Sequence, residues 1–182
     1  MRDLLAATAD VPGLRVEELP PYPTLPGLVV PLAAAAAEAV SALQAEGLQT
    51  AVLVTAHGLP ERYVRDGDPY VDHVGQTFEA FRREAKLPVP VTLGFQSRIG
   101  PVRWVGPQVD EVVERLARGG TRALVVVPAT FVCEHLETRY DLDLVLRSVA
   151  WEHGIRRYTR IPTVSTAPAF IQGLADHVRA AR

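Results

Sequence analysis

Short runs of aliphatic and β-branched residues alternate along the chain with longer amphipathic stretches. Three nearly continuous apolar runs, Thr50–Thr55, Val89–Phe95 and Arg122–Val127, predict strands buried on both faces. A fourth short strand is predicted just before Ile161-Pro162. Alternation of strands and helices favours a doubly wound α/β fold, with a parallel four-stranded sheet and helices on both faces.

The stretches between the strands predict three helices. Asp68-Pro69 is suited to begin the first, because Asp caps helix N-termini and Pro fits the first turn. Its inner face is apolar apart from one threonine and consists of Val74, Thr77, Phe78, Phe81 and Ala85. Pro107 opens the second helix, and the third begins near His135 and runs to about His153.

An internal repeat suggests how the chain is organised. Leu19-Pro20 recurs as Ile161-Pro162, 142 positions later. The same offset pairs Arg15 with Arg157, Thr24 with Thr166, Pro26 with Pro168, Leu28 with Phe170, Val29 with Ile171 and Leu32 with Leu174. Chance similarity of two generic α/β endings is the alternative. The repeat predicts that residues 1–46 are the strand, turn and crossover helix of a preceding homologous unit, and that residues 47–182 form one complete repeat.

Ligands of parallel sheets bind outside the carboxyl ends of the strands, so the loops after Thr55, Phe95 and Val127 are the places to look for chemistry. The first loop carries His57, followed by Gly58 and Pro60. An exposed histidine there can ligate a metal or move a proton near neutral pH. A loop histidine satisfied by the backbone is the alternative.

The other two loops are also polar. Glu134, Glu137 and Asp141 have the spacing of one helix face, with His135 beside them, which suits a cation; a solvated acidic face near a helix N-terminus is the alternative. The remaining loop combines aromatic and polar side chains that suit a flat ligand carrying carboxylates: Phe95, Gln96, Ser97, Arg98 and Trp104. Trp104 as a core anchor is the alternative.

Together these loops resemble the ferrochelatase family. The segment 52–70, VLVTAHGLPERYVRDGDPY, is similar to the family signature of a strand leading to Ser/Thr-x-His-Gly/Ser-aliphatic-Pro and then Gly-Asp-x-Tyr. QSRIGPVRWVGP and FVCEHLETRYDLD resemble two further family segments, and IPTVSTAPAFIQGLADHV resembles the family's C-terminal end. The similarity covers nearly the whole chain.

The resemblance implies a chelatase-like fold and insertion of Fe²⁺, as the substrate metal, into protoporphyrin IX or coproporphyrin III. It casts His57 as metal ligand or proton acceptor and Glu137 as its acidic partner, with His135, Asp141 and the loop of Phe95, Gln96, Ser97, Arg98 and Trp104 near the porphyrin. Members of the family bind porphyrin between two similar domains. A missing N-terminal domain or a second chain is therefore expected to complete the site.

Composition narrows the classes of partner. The chain of 182 residues has a net charge of −2 with both signs interspersed, so nucleic acid is not an expected partner. The single cysteine, Cys133, argues against an iron–sulfur cluster, which usually needs four thiolates. Lacking a recognisable secretory signal and a run of 18 apolar residues, the chain is expected to be cytoplasmic without a transmembrane segment. A half-size chelatase of the sirohydrochlorin type and a non-catalytic tetrapyrrole-binding half-domain are the alternative functions.

Overall fold

The computed structural model describes residues 16–181. Four strands form one sheet in the order β2-β1-β3-β4, with every neighbouring pair parallel. The strands are β1 (Thr50–His57), β2 (Val91–Gln96), β3 (Ala123–Pro128) and β4 (Arg157–Arg160). The predicted four-stranded parallel sheet is therefore confirmed, with strand ends shifted by one or two residues.

Helices cover both faces of this sheet. They are α1 (Pro26–Ala45), α2 (Glu61–Arg65), α3 (Tyr70–Ala85), α4 (Val109–Arg118), a π-helix (Glu137–Leu146), α5 (Arg147–Glu152) and α6 (Pro168–Ala180). Helix α3 begins at Tyr70, directly after Asp68-Pro69, and the Asp68 carboxylate accepts a hydrogen bond from the Tyr70 N–H at 2.9 Å. Pro69, rather than the predicted Asp68, occupies the N-cap position. Helix α4 begins just after Pro107, where the Glu111 carboxylate accepts the N–H of Gln108 at 3.1 Å.

Alternate side chains of the central strands point to opposite faces of the sheet and form two cores. Val52, Val54 and Val125 pack in a cluster with residues of α1 and α3. Leu53 and Leu124 pack on the other side in a cluster with residues of α4, the π-helix and α5. Burial on both faces is the reason that these strands are apolar without alternation.

Helix α1 lies directly on this sheet. It packs against β1, β3, α3 and α6. By length and composition α1 is apolar enough to cross a membrane, a test that the core helices of globular domains also pass. Its buried side chains, including Leu32 and Ala36, pack with strand residues such as Val125, which accounts for its apolar composition. The assignment of residues 1–46 to a preceding unit stays a prediction, and residues 1–15 lie outside the described part.

The close crossing of α1 and α6 leads to a stability prediction. A Cβ atom built on Gly27 would clash with the carbonyl oxygen of Ala169. Because that oxygen belongs to the backbone of α6, Gly27→Ala is expected to destabilise the fold by about 1–3 kcal/mol. Gly75→Ala is the control, since nothing lies within 4 Å of a Cβ there, and it should stabilise α3 by about 0.4–1 kcal/mol. Urea unfolding measures both; equal midpoints for the two variants would refute the close contact.

The third predicted helix differs from the expectation. Residues Glu137–Leu146 wind as a π-helix before α5 continues it. Glu134 precedes this helix, so it does not share a face with Glu137 and Asp141, and that part of the sequence interpretation was wrong. The π-helix is rare and is frequently found at functional sites.

Glu134 belongs to a separate ion-pair cluster. The Arg160 guanidinium donates to Glu134 Oε1 at 2.9 Å and to Asp143 Oδ1 at 2.7 Å. Although burial raises the pKa of Glu134, hydrogen bonds from Arg160, the Thr163 N–H and Thr138 lower it to about 2. This cluster ties the end of β4 to the segment before the π-helix and to the π-helix itself.

Candidate active site

A cavity of about 630 Å³ lies at the carboxyl edge of the sheet, where the sequence predicts the chemistry. The end of β1 contributes His57, the end of β2 contributes Gln96 and Ser97, and the π-helix contributes Glu137 and Asp141. The volume falls within the range of small-molecule sites in proteins.

His57 and Glu137 form the polar centre of this cavity. His57 Nδ1 lies 2.7 Å from Glu137 Oε2, although the residues are 80 positions apart in the chain. Their side chains are 41% and 34% exposed, so a ligand can reach both. A carboxylate next to Nδ1 favours the tautomer in which Nδ1 carries the proton, and the lone pair is then on Nε2. The ring can therefore offer Nε2 to a metal or a proton.

The backbone of His57 is held from both sides. Its N–H donates to Thr130 Oγ at 3.2 Å, and its carbonyl oxygen accepts the hydroxyl of Tyr70 at 2.9 Å. Burial, together with the charge of Glu137, raises the pKa of Tyr70 despite an opposing interaction with Thr130, so its hydroxyl stays protonated and able to donate. Tyr70 and Thr130 thus hold the strand end from which the imidazole projects.

The two carboxyl groups of the cavity are shifted in opposite directions. Burial raises the pKa of Glu137, but hydrogen bonds from His57 and Ser97 and the charges of His57 and His135 outweigh it, so the net shift is downward. Burial and the charge of Glu137 raise the pKa of Asp141 above its ordinary value. Glu137 therefore remains an anion beside the imidazole, while Asp141 takes up a proton more readily than an ordinary aspartate.

Ser97 offers a test of this electrostatic arrangement. Its Oγ donates to Glu137 Oε2 at 2.9 Å, so Ser97→Ala removes one interaction that favours the carboxylate. The pKa of Glu137 is then expected to rise, which a carbon-13 NMR titration of its carboxyl group measures. Ser165→Ala is the matched control, because Ser165 also has a positive φ and does not line the cavity. Identical titration midpoints for Glu137 in both variants would contradict the assigned hydrogen bond.

The other predicted site residues divide into two groups. Arg98 lines the cavity and lies 3.9 Å from Asp110 at its rim. Phe95 is buried in a small core with Ala56 and Val74 and does not line the cavity. Trp104 also lies outside the lining, and its indole N–H donates to the Ile99 carbonyl at 3.0 Å, which braces the loop.

His135 does not line the cavity but contacts Glu137, which does. Its Nδ1 accepts the N–H of Glu137 at 3.2 Å, and its ring packs against Phe131. It therefore acts on the cavity through the start of the π-helix. Contact of His135, Phe95 or Trp104 with a substrate stays a prediction of the sequence, as do the binding roles of the lining residues.

The side-chain amide of Gln96 is a further polar group at the cavity. It is buried beside the cavity, and neither its amide oxygen nor its amide nitrogen has a hydrogen-bond partner among residues 16–181. A buried polar group without a partner costs free energy. A ligand or water that reached this end of the cavity would satisfy the amide.

Sequence reasoning missed most of the apolar wall. The cavity is lined by Leu136, just before the π-helix, by Tyr140 and Val145 of that helix, and by Ile99 of the loop after β2. These four side chains are exposed although they are large and apolar. A signal was present, because Tyr140 and Leu144 interrupt the expected polar face of the third helix. A wide apolar wall beside two carboxyl groups and an imidazole suits a flat, largely apolar ligand.

No group of three or more His, Cys, Asp or Glu side chains is arranged to hold a metal ion within residues 16–181. Within the cavity, His57 and Glu137 form a pair, and Asp141 also lies on the wall. Imidazole and carboxylate together suit first-row divalent metals such as Fe²⁺. Cys133 is exposed.

The chain is similar to proteins of one family along nearly its whole length. The family model named Ferrochelatase matches residues 2–182. The ferrochelatase of Trichodesmium erythraeum is 40% identical over 131 residues, which are 71% of this chain and 34% of that protein. The ferrochelatase of Sulfurihydrogenibium sp. is 41% identical over 126 residues, or 69% of this chain and 37% of that protein. The chain therefore spans about a third of the length of these curated relatives.

A solved structure supports the fold independently. The putative cobalamin biosynthesis protein CbiX from Marinobacter aquaeolei superposes with a TM-score of 0.50 at 17% identity, covering 72% of this chain and 95% of that one. At this identity the similarity concerns the fold alone. Since the family model extends over the cavity, the sheet and the flanking helices alike, the chain belongs to the ferrochelatase family.

Proposed function

We propose that this chain is the catalytic half of a ferrochelatase, which inserts Fe²⁺ into protoporphyrin IX or coproporphyrin III. One observation carries the proposal: in a member of this family, an imidazole and a carboxylate meet at 2.7 Å in a cavity with an apolar wall at the carboxyl edge of the sheet. Arg98, which also lines the cavity, suits a carboxylate of the macrocycle.

The chemistry requires two protons to be removed. Each Fe²⁺ that enters a free-base porphyrin replaces two pyrrole N–H protons, so metal insertion releases two H⁺. The Nε2 atom of His57 accepts one proton, and the anionic Glu137 stabilises the imidazolium that results. Asp141, whose pKa is raised by burial and by Glu137, is placed to accept a proton and pass it to solvent.

The metal must be held only weakly before transfer. Two or three ligands at an open site release a metal more readily than a closed four-ligand cage does. His57 and Glu137 provide such an open pair, and both are exposed to the cavity. Nε2 of His57 can accept a pyrrole proton only after it has released the metal, since it has a single lone pair. The family resemblance and the internal repeat both favour a second, homologous half that closes the other side of the porphyrin. Cytoplasmic location and absence of an iron–sulfur cluster remain predictions from the sequence.

An iron-insertion assay tests the proposal. The chain is incubated with ferrous iron and each porphyrin in turn, alone and with the N-terminal half of the Sulfurihydrogenibium ferrochelatase added, and metalloporphyrin is followed by absorbance. Insertion is expected in the presence of the second half. Porphyrin binding without insertion under both conditions would overturn the proposal in favour of a tetrapyrrole-binding half-domain. Metal insertion into sirohydrochlorin by the chain alone would instead indicate a half-size chelatase.

A further inference from the structure

His57 lies at a strand end that side chains, rather than a neighbouring strand, hold in place. Strand β1 extends to His57, whereas its pairing with β3 ends at Thr55. Both backbone polar groups of His57 are nevertheless bonded: the N–H donates to Thr130 Oγ at 3.2 Å, and the carbonyl oxygen accepts the Tyr70 hydroxyl at 2.9 Å. Thr130 and Tyr70 therefore take the place of a strand partner at this residue.

The two hydroxyl groups also interact with each other. Burial raises the pKa of Tyr70, and a hydrogen bond from the Thr130 hydroxyl acts in the opposite direction. A hydroxyl can accept one hydrogen bond and donate another, so Thr130 accepts from His57 and donates to Tyr70. Tyr70 in turn donates to the carbonyl oxygen of His57. The three groups form a closed hydrogen-bond cycle in which every bond runs in the same direction.

The hydrogen-bond cycle lies outside the cavity that contains His57 and Glu137. Neither Tyr70 nor Thr130 lines that cavity, and both line a different and smaller one. A ligand of the larger cavity therefore meets the imidazole of His57 and not the two hydroxyl groups. Their effect on such a ligand passes through the backbone of His57.

The local sequence holds Tyr70 in the position that the cycle needs. Tyr70 is the first residue of α3, and its N–H donates to the Asp68 carboxylate at 2.9 Å. Gly67, just before, has a φ of +91°, which favours glycine. The segment Gly67-Asp68-Pro69-Tyr70 thus turns the chain so that its tyrosine reaches back to a residue 13 positions earlier.

We infer that Tyr70 and Thr130 are positioning residues for His57, and that their hydroxyl groups act as one unit through the hydrogen-bond cycle. The cycle fixes the backbone from which the imidazole projects and so keeps its Nδ1 atom 2.7 Å from Glu137 Oε2. A small misplacement of a catalytic group lowers a reaction rate strongly. This inference rests on the proposed function and adds to it two residues that do not touch the substrate.

The first test measures amide hydrogen exchange of His57 in the chain alone, without porphyrin or metal. Tyr70→Phe removes no direct partner of the His57 N–H, since that N–H donates to Thr130. Exchange of this amide should nevertheless become about threefold faster or more, because Thr130 loses the acceptor of its own hydroxyl. Thr130→Ser keeps a hydroxyl at this position and should exchange like the wild type.

The second test measures the kinetics of iron insertion by the reconstituted halves. Tyr70→Phe and Thr130→Val should each lower kcat at least about tenfold and change the KM for porphyrin less than about twofold, since neither residue lines the cavity. The double variant should be no slower than the slower single variant, because either change alone opens the cycle.

Thr50→Val is the matched control for Thr130→Val. It also removes a threonine hydroxyl that is bonded to β1 or its flank, but the bond goes to the Leu48 carbonyl at the opposite end of the strand. Its kcat and the exchange of the His57 amide should equal those of the wild type. Thr130→Ser should restore most of the kcat that Thr130→Val loses.

Three results would overturn the inference. They are His57 amide exchange in Tyr70→Phe equal to that of the wild type, losses of kcat that multiply in the double variant, and a raised KM with an unchanged kcat. Absence of iron insertion by the wild-type halves would instead overturn the proposed function. The exchange measurement on the chain alone would then still decide whether the two hydroxyl groups act as one unit.

Discussion

His57→Ala is expected to lower the rate of iron insertion by the reconstituted halves about 10²–10⁴-fold, the usual contribution of a positioned general base. The substitution removes the imidazole, whose Nε2 atom is the proposed acceptor of a pyrrole proton. Glu137 remains as an anion but loses its partner in the 2.7 Å contact. The rate of metalloporphyrin formation under saturating porphyrin measures the effect.

The loss should concern chemistry rather than folding. His57 is 41% exposed on its side chain, so its truncation leaves little unfilled space, and the free energy of unfolding should change by less than about 1 kcal/mol. His153→Ala is the matched control, because His153 is an exposed histidine that follows α5 and does not line the cavity. An unchanged insertion rate in His57→Ala would remove the role assigned to this residue.

The largest effect on stability is expected from Arg160→Ala, which should reduce the free energy of unfolding by about 2–4 kcal/mol. The Arg160 side chain is 11% exposed and donates to Glu134 and Asp143, whose side chains are partly buried. Removing the cation leaves two carboxylates without their shared partner in a poorly solvated place. Arg157→Ala is the control: its ion pair with Glu46 is exposed and should contribute no more than about 1 kcal/mol.

The same cluster makes stability depend on pH. The pKa of Glu134 in the folded chain is about 2, below its ordinary value of 4.5, so the unfolded chain binds the proton more readily. The stabilisation is therefore fully present above the unfolded value and is lost as the pH falls from about 4.5 towards 2. Urea unfolding at a series of pH values should show this decline in the wild type and a smaller one in Arg160→Ala. Parallel pH profiles would show that Arg160 is not the cause of the shifted pKa.

Sequence reasoning reached the sheet and its functional edge for a clear physical reason. Strands buried on both faces must be continuously apolar, and loops that follow parallel strands must meet at one edge. These local requirements can be recognised from TAVLVT or RALVVV without knowing any long-range contact. The placement of His57 and Glu137 at one edge followed from the strand ends, and the family resemblance assigned their pairing.

Long-range packing decided the details that local pattern does not contain. The spacing of Glu134, Glu137 and Asp141 is compatible with one helical face, but Arg160, which comes from β4, holds Glu134 outside the helix. Trp104 is aromatic in a polar loop, and only the tertiary structure shows that its indole bonds to Ile99 rather than facing the cavity.

The sequence by itself therefore determined the α/β architecture, the order of strands and helices, the edge at which the chemistry lies and the family. The tertiary structure alone decided the π-helical winding, the separation of Glu134 from Glu137, and the close crossing of α1 and α6 at Gly27 and Ala169. The reason is the range of the interactions. Hydrophobic periodicity and turn residues act over a few positions. Ion pairs and helix crossings, by contrast, join residues that are separated by 26 positions in one case and by more than 100 in another.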